Sequence, residues 1–486
     1  MDTYQMALQL MAAQGILGAF DTLYHHELTE ALPRQPGARR ELGIHALRSL
    51  IYSVLFVGLS CWTWHGWWAL ALLLIFGVEV GLTLWDFVTE DQTRLLPASE
   101  RVTHTVLAMN GGAFVCLLVL NTPAWFTAPT AFVWQPYGGL SVFLALCGVG
   151  VGLSGVRDAL AAMALERSAD NDAAPAIHFG PAEQSVLLTG ATGFIGRKLV
   201  AALLRDGHRV TVLTRAPRQA AWLFDGAVRC IGGMDQLPPS SRIDVIVNLA
   251  GARILGWRWT VARQALLHAS RVKTTDSLVA WIASAEHKPR LLLSASAIGY
   301  YGVQRQDDAS ELTETSAPQA IFMSRLCQDW EAAAQAASRH GVQVACMRFG
   351  LVFGAQGALP MMLLPIRLGM GGRLGSGAQR MSWIHVDDVL RGVAHLWQLS
   401  EEGRLQAGAY NFTAPENVSQ QEFSRVAAHE TGRPCFIPTP AFPLRLALGE
   451  QADLLLEGQK VAPTRLQASG FTFRYPTLQG ALRSLV

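Results

Sequence analysis

Three glycines at a regular spacing form the first candidate site in the sequence. The apolar run Val186–Leu188 precedes them, and an amphipathic stretch and a second apolar run, Val210–Leu213, follow. A strand, a glycine turn and a helix in this order bring free backbone N–H groups against a pyrophosphate, which the positive end of the helix dipole stabilises. The pattern predicts a dinucleotide site built from Gly190, Thr192, Gly193, Phe194, Ile195 and Gly196.

The second apolar run ends in residues that would meet the adenosine ribose. They are Thr214 and Arg215, with Arg218 close by. An NAD-specific site carries Asp or Glu here, whereas a guanidinium group can pair with a 2′-phosphate. The arginines therefore favour NADP, with NAD as the alternative, unless they are simply solvated loop charges.

Strands and helices alternate through the rest of this half. Predicted strands at Ile243–Val247, Arg290–Leu293 and Val342–Met347 are separated by helical stretches at Ser270–Ser284 and Ile321–Ala337. Such alternation indicates an α/β fold with a doubly wound parallel Rossmann sheet, in which ligands bind at the carboxyl ends of the strands. That edge would include Leu249, Ala250 and Gly251, the segment Ser294–Ser296, and Arg348–Gly350.

The first third of the chain is strongly apolar. Four long runs follow a weaker one, and a bilayer core needs about 20 largely apolar residues in helical form. The runs are Tyr4–Leu23, Gly43–Trp64, Gly66–Val88, Val102–Leu120 and Gly139–Leu165. Residues 1–165 are therefore predicted to be an all-α transmembrane bundle of about five helices.

The charges between these runs predict an orientation. Four arginines lie around the first connection, and Arg94 and Arg101 lie in the third, while the second and fourth carry no Lys or Arg. The positive-inside rule places the first and third connections in the cytoplasm, the amino terminus outside and the second half of the chain inside. Six tryptophans cluster at the opposite face, as in an interfacial belt. We expect a multi-pass protein of a bacterial-type inner membrane.

Acidic and histidine residues recur four apart near the cytoplasmic helix ends. Four-residue spacing puts both members of a pair on one helix face. The pairs are Asp21 with His25, Glu41 with His45, Asp86 with Glu90, and Glu100 with His104, and Glu79 shares the face of Asp86. Two interpretations stay open: solvated charges at headgroup level, or a site for a metal, haem or quinone.

Composition narrows the remaining options. A formal net charge of +2 gives no indication of a nucleic-acid partner, and seven scattered cysteines without a CxxC motif argue against a disulfide framework or zinc knuckle. The polar, Ala- and Pro-rich residues 166–183 predict a linker. Residues 184–410 would then form the Rossmann domain, and residues 411–486 a substrate or capping lobe with an apolar helix over Leu444–Leu456.

The ordered motifs of the second half resemble a known family. TGATGFIG, NLAG, SASAIGYYG, RFGLVFG and WIHVDDV are similar to the extended short-chain dehydrogenase/reductases. GWRWT, SRVKTTDSLV, YNFTAPENV and LLLEGQKVAPTRLQASGF resemble more narrowly its sugar-nucleotide-epimerase-like branch, which shares this C-terminal tail. The resemblance runs from about Gln184 to Val486 and implies the Rossmann fold and a nicotinamide cofactor.

The resemblance also implies site residues. Ser296, or Ser294, would supply a substrate-polarising hydroxyl, and Trp383, His385 and Asp387 would close the substrate side. The Tyr-x-x-x-Lys pair of active members is missing from the helix after the serine strand. Proton transfer would then fall to Tyr300, Tyr301 or His385. The tyrosines could instead pack against the cofactor, and His385 could anchor its loop.

Three functions follow from these patterns. The first is an NADP-dependent oxidoreductase or epimerase acting on a carbonyl or alcohol of a small, sugar-nucleotide or lipid-linked substrate. The second is a non-catalytic NADP(H)-binding redox sensor coupled to the membrane half. The third is metal-dependent redox chemistry in the membrane half, with electrons drawn from the soluble half. The sequence predicts neither the substrate nor the oligomeric state.

Overall fold

The chain forms two compact units, Met1–Ala174 and Pro175–Val486. The computed structural model describes residues 2–29, 39–93, 98–171, 177–254 and 259–486. Arg34 and Arg94 of the charged connections, and most of the GWRWT motif, lie outside the described residues.

The described residues of the first unit form five α-helices. With two short strands between them, they are α1 (Thr3–Asp21), α2 (Arg39–Cys61), β1 (Trp62–Trp64), α3 (Trp67–Thr93), α4 (Ala98–Phe126), β2 (Phe132–Trp134) and α5 (Gly139–Asn171). Four of them, α2 to α5, are long and apolar enough to cross a membrane. The predicted count of about five spans is therefore not supported, because α1 carries three glutamines and an aspartate within 19 residues.

The interior of this unit is aromatic at one end and polar at the other. Around Tyr4, Phe56 and Phe114 the side chains are buried, and the Tyr4 hydroxyl donates to the Leu59 carbonyl over 2.6 Å. At the same end β1 pairs antiparallel with β2. This pairing brings together two tryptophans of the predicted interfacial belt, since the ring centres of Trp62 and Trp134 lie 5.1 Å apart. Large apolar side chains on the outer helix faces stay exposed.

The second unit alternates strands and helices. Its first half contains β3 (Ser185–Thr189), α6 (Phe194–Arg205), β4 (Arg209–Leu213), α7 (Pro217–Leu223), β5 (Arg229–Ile231), β6 (Val245–Asn248), α8 (Val261–Ala269), α9 (Val272–Ser284) and β7 (Leu291–Ala297). Its second half contains α10 (Phe322–Gln335), β8 (Gln343–Phe349), β9 (Leu351–Phe353), α11 (Leu359–Arg367), β10 (Arg380–Met381), β11 (Trp383–His385), α12 (Val386–Glu401), β12 (Gly408–Phe412), β13 (Val418–Ser419), α13 (Gln420–Thr431), α14 (Ala441–Leu448), α15 (Asp453–Leu456), α16 (Thr464–Ala468) and α17 (Leu478–Arg483).

Seven strands form one sheet in the order β12-β8-β7-β6-β3-β4-β5. All neighbours in it run parallel. The central strands β3, β6, β7 and β8 are almost completely buried because helices cover both faces of a doubly wound sheet. The predicted Rossmann fold is confirmed. Strand order reverses between β3 and β6, and a crevice opens at such a switch point beyond the carboxyl ends of the strands.

Three predicted boundaries need correction. The last helix of the first unit continues to Asn171, six residues into the predicted linker. Phe179, in the same predicted linker, is fully buried, and its N–H donates to Asp206 over 2.7 Å, so this segment docks on the second unit. The predicted helix Leu444–Leu456 is broken in two at Gly449, whose φ of +60° ends the first part.

The boundary at residue 410 also needs adjustment. It falls inside β12, which pairs with β8 over its whole length. Leu466 and Phe471 pack into the core beneath the sheet. The C-terminal segment therefore contributes to the Rossmann core as well as extending beyond it.

Candidate functional site

The glycine turn between β3 and α6 is shaped by close backbone approach. Gly190 has a φ of +69°, and a side chain there would lie 2.5 Å from the Leu249 carbonyl oxygen. A Cβ at Gly196 would collide with the Gly190 carbonyl oxygen, so α6 packs directly on the turn. These two positions require glycine for the fold itself.

Gly193 has a less crowded backbone environment than Gly190 and Gly196. A Cβ there would meet only the Gly190 carbonyl oxygen, at 3.2 Å. It is the N-cap of the 12-residue α6, and no side chain caps this end of the helix. The first-turn N–H groups, from Phe194 onward, are thus left for a ligand, and together with the helix dipole they suit an anion. The geometry fits a diphosphate.

Neighbouring strand ends are tied together by a buried chain of hydrogen bonds. The Thr189 hydroxyl donates to the Asn248 side chain over 2.7 Å and accepts from the Ala250 N–H at 3.0 Å. The Asn248 amide donates to Thr275 and Ser294 over 2.8 and 3.2 Å. This chain fixes the segment Leu249–Gly251 beside the glycine turn, where the sequence predicts contact with the cofactor.

The residues that the sequence predicts for the adenosine side follow β4, the strand next to β3 in the sheet. Thr214 follows β4, and its hydroxyl accepts from the Ala216 N–H at 3.3 Å, which fixes the loop. Arg215 and Arg218 are both exposed. Both guanidinium groups thus belong to solvent-exposed residues that follow β4, and a guanidinium group can pair with a ribose 2′-phosphate.

Ser296 lies at the end of β7, and its hydroxyl donates to Glu331 on α10 over 2.6 Å. Arg348, at the end of β8, donates to both oxygens of the same carboxylate, over 2.7 and 2.8 Å. Burial alone would lower the pKa of Arg348, but the hydrogen bonds and charge of Glu331 outweigh it and raise that pKa. The result is a largely buried serine–carboxylate–guanidinium cluster at the carboxyl ends of β7 and β8.

The two tyrosines differ in their surroundings. The Tyr300 ring lies over the Arg348 guanidinium, 3.4 Å from its carbon atom, and is partly exposed. Tyr301 is buried, and its hydroxyl donates to Asn411 over 2.6 Å and accepts from Arg348 at 2.9 Å. Burial raises the pKa of Tyr301 to about 12. The contacts of Tyr301 are those of a structural residue, whereas the Tyr300 ring is partly exposed.

His385 anchors its loop. Its Nδ1 atom accepts from the Asp387 N–H at 3.1 Å and so caps α12, and its ring lies 3.9 Å from that of Tyr475. Burial lowers the pKa of His385 to about 4, so the ring is neutral near pH 7. Of its two predicted roles, the geometry supports the anchor.

The sequence motifs do not indicate two residues of this edge. Glu331 lies on α10, the helix that lacks the Tyr-x-x-x-Lys pair. Arg271 is buried, donates to the Leu267 and Ala252 carbonyls over 3.1 and 3.0 Å, and burial lowers its pKa. A charged residue within an otherwise buried helical face was the available signal for both.

Comparison with known proteins places this geometry in a family. Residues 186–411 match the model of the NAD dependent epimerase/dehydratase family, and residues 439–485 match a domain of unknown function, DUF1731. The first unit lies outside both matches. The prediction of a nicotinamide dinucleotide as cofactor agrees with this family.

Relatives match over almost their whole length. The epimerase family protein YfhF of Bacillus subtilis is 36% identical over 310 residues, 62% of this chain and 98% of the relative. The epimerase family protein SDR39U1 of Bos taurus is 37% identical over 306 residues, 62% of this chain and 99% of the relative.

A solved structure agrees. The crystal structure of human epimerase family protein SDR39U1 with NADPH is 33% identical, covers 62% of this chain and 99% of its own, and superposes with a TM-score of 0.55. The coverage and identity of these relatives, together with the motifs at the sheet edge, establish that the chain belongs to the epimerase family of short-chain dehydrogenase/reductase-like proteins.

Proposed function

We propose that the chain is a membrane-anchored NADP(H)-dependent oxidoreductase or epimerase that acts on a carbonyl or alcohol of a small or lipid-linked substrate. The observation that carries the proposal is the uncapped N-terminus of α6, which opens at the strand-order switch point with Arg215 exposed beside it. The human relative crystallised with NADPH supports the same choice of cofactor.

The bound nicotinamide would supply or accept a hydride. The chain must then move the accompanying proton, and the usual Tyr–Lys pair is missing. Because Ser296 donates its own proton to Glu331, its oxygen is left to accept a hydrogen bond. A substrate hydroxyl would pass its proton to Ser296 while the serine proton moves to Glu331, and the reverse sequence would protonate a carbonyl oxygen. Arg348 would hold the carboxylate in place.

Calorimetry with NADPH and NADH on the full chain in detergent tests the cofactor choice. Arg215→Ala should weaken NADPH binding about tenfold or more and leave NADH binding unchanged, because only NADPH offers a 2′-phosphate. Arg242→Ala is the matched control, since it removes an exposed arginine that precedes β6, at the opposite edge of the sheet. If Arg215→Ala weakened the binding of NADPH and NADH equally, the result would contradict NADP specificity.

The membrane anchor is supported by the length and apolar character of four helices and by the exposed apolar side chains on their outer faces. We propose that the amino terminus faces outward and the Rossmann unit the cytoplasm. The chain should resist extraction of membranes at high pH. A fluorescent protein fused to the carboxyl terminus should fluoresce, and a periplasmic phosphatase fused there should stay inactive.

A second candidate is a redox sensor that binds NADP(H) without chemistry. The observation in its favour is the satisfied hydroxyl of Tyr301 together with the lack of Tyr and Lys on α10. Incubation with NADPH and a panel of aldehydes, ketones and sugar nucleotides separates the two candidates. Oxidised nicotinamide, or an epimerised sugar nucleotide, that is no longer formed by Ser296→Ala supports the enzyme. Unaltered nicotinamide together with unaltered substrates supports the sensor.

A further inference from the structure

The polar end of the first unit gathers side chains from four helical segments. Asp21 ends α1, Glu41 begins α2, Glu90 lies near the end of α3, and Glu100 begins α4. Adjacent helices that run up and down a bundle bring these alternate ends together. Two sets of possible metal ligands result, Glu41 with His45 and Glu90, and Glu90 with Glu100 and His104, each with its ligand atoms within 4.8 Å of one another.

Glu90 belongs to both sets, and its two oxygens face different helices. One lies 3.7 Å from Nε2 of His45, and the other lies 3.2 Å from Nδ1 of His104. A carboxylate that presents one oxygen to each of two imidazoles has the geometry of a bridge between two metal ions. Mixed nitrogen and oxygen donors without sulfur suit iron, manganese or zinc.

The surrounding residues orient these ligands. His104 points its other nitrogen, Nε2, at Asp21 over 3.1 Å, the carboxylate–imidazole arrangement that fixes metal-binding histidines. His25 also contacts Asp21, over 2.7 Å, from a π-helical turn at Thr22–Thr29, and such turns occur frequently at functional sites. In the other set, Asp86 lies 3.1 Å from Nε2 of His45, the same nitrogen that faces Glu90, and accepts from Arg48.

The carboxylates of this cluster are buried, which favours the binding of cations beside them. Relative exposure is 6% for Asp21, 1% for Asp86 and Glu90, and 0% for Glu41 and Glu100. Carboxylates removed from water need compensating positive charge. Arg48 supplies one such charge, to Asp86 and Glu79, and two divalent ions would supply more while binding the imidazoles in their neutral form.

We propose that this end of the bundle binds two divalent first-row transition-metal ions bridged by Glu90, one held by Glu41 and His45 and the other by Glu100 and His104. Helices α2 and α4 each supply a carboxylate and an imidazole four residues apart, one residue more than the Glu-x-x-His spacing of ferritin-like sites. This site lies within the first unit and does not depend on the function proposed for the second unit.

Metal analysis of the full chain is the first test. Protein purified in detergent from cells grown with iron, manganese and zinc should contain about two such ions per chain by mass spectrometry. Glu90→Gln should lose both ions, and Glu100→Gln should lose one. Glu79→Gln is the matched control, because Glu79 is a buried carboxylate of the same helix outside both sets, and it should keep both ions.

Wild-type protein provides a second test that does not depend on whether a variant folds. After treatment with a chelator, Mn²⁺, Fe²⁺ or Zn²⁺ added separately should raise the thermal unfolding midpoint and saturate at about two equivalents, with Mg²⁺ ineffective. Bound Mn²⁺ should show the exchange-coupled paramagnetic resonance spectrum of a bridged pair. Wild type with no bound metal and no thermal response would overturn the proposal, as would retention of both ions in Glu90→Gln.

Discussion

The two halves of the sheet edge in the second unit have opposite designs. On the cofactor half, around β3, α6 and β4, backbone N–H groups and arginine side chains are left open. On the other half, around β7, β8 and α10, polar side chains are buried and bonded to one another, as in the cluster of Ser296, Glu331 and Arg348.

This difference separates binding from stability. A half whose polar groups lack protein partners gains little for the fold and can be satisfied by a ligand. A half whose polar groups are already paired stabilises the fold, and any chemistry there must use a group within the pairs. Changes in the first half should therefore alter NADPH affinity, and changes in the second should alter the free energy of unfolding.

The largest effect is expected for Glu331→Gln. It leaves the buried Arg348 without its bidentate partner, which should lower the free energy of unfolding by about 3 kcal/mol or more. NADPH affinity should stay within about twofold of wild type, because the glycine turn is untouched. Denaturant unfolding and calorimetry on residues 177–486, close to the length of the relatives, measure both. Asp329→Asn, an exposed position on the same helix, is the control and should change neither quantity.

Gly193→Asp should show the reverse pattern. Its Cβ fits with a small shift from the Gly190 carbonyl, so the unfolding midpoint should hold. The added negative charge would meet the diphosphate, and NADPH affinity should fall about 100-fold, or about 2.7 kcal/mol. Gly196→Ala should instead destabilise the fold as well, since its Cβ collides with backbone. Undiminished NADPH binding in Gly193→Asp would remove the basis of the comparison.

The buried His385, at the end of β11, predicts a pH dependence of stability. Its pKa falls from 6.5 to about 4 on folding, so the unfolded chain binds the proton more readily. Stability is complete above pH 6.5 and is lost as the pH falls towards 4, by about 2 kcal/mol between pH 7 and 5. His385→Asn keeps an acceptor for the Asp387 N–H but cannot titrate there. Unfolding curves at both pH values should show a smaller difference for this variant, and an unchanged difference would assign the titration elsewhere.

Tyr301→Phe should have the smallest effect. It removes the hydroxyl that joins Asn411 and Arg348 and should cost about 1 kcal/mol of stability. Because that hydroxyl is already occupied, nicotinamide turnover should persist. Tyr300→Phe is the variant to compare with it, because the Tyr300 ring is partly exposed whereas Tyr301 is buried. If Tyr301→Phe alone abolished turnover, the buried hydrogen bonds of Tyr301 with Asn411 and Arg348 would have to open during the reaction.

Much of this molecule could be predicted from its sequence. Backbone sites depend on local patterns, so Gly190, Gly193 and Gly196 identify the glycine turn without any tertiary information. The apolar runs identify the helices of the first unit because length and hydropathy are also local properties. The regular alternation of strands and helices identifies the parallel sheet.

Side-chain clusters could not be predicted in the same way. Glu331 meets Ser296 across 35 positions, and Glu90 lies between two histidines of other helices. Even the roles of Tyr300, Tyr301 and His385 depended on which of their polar atoms were already bonded. Local spacing determines which face a residue occupies, but only tertiary packing determines which side chains meet there, because contacts between distant segments follow from how whole elements fit together.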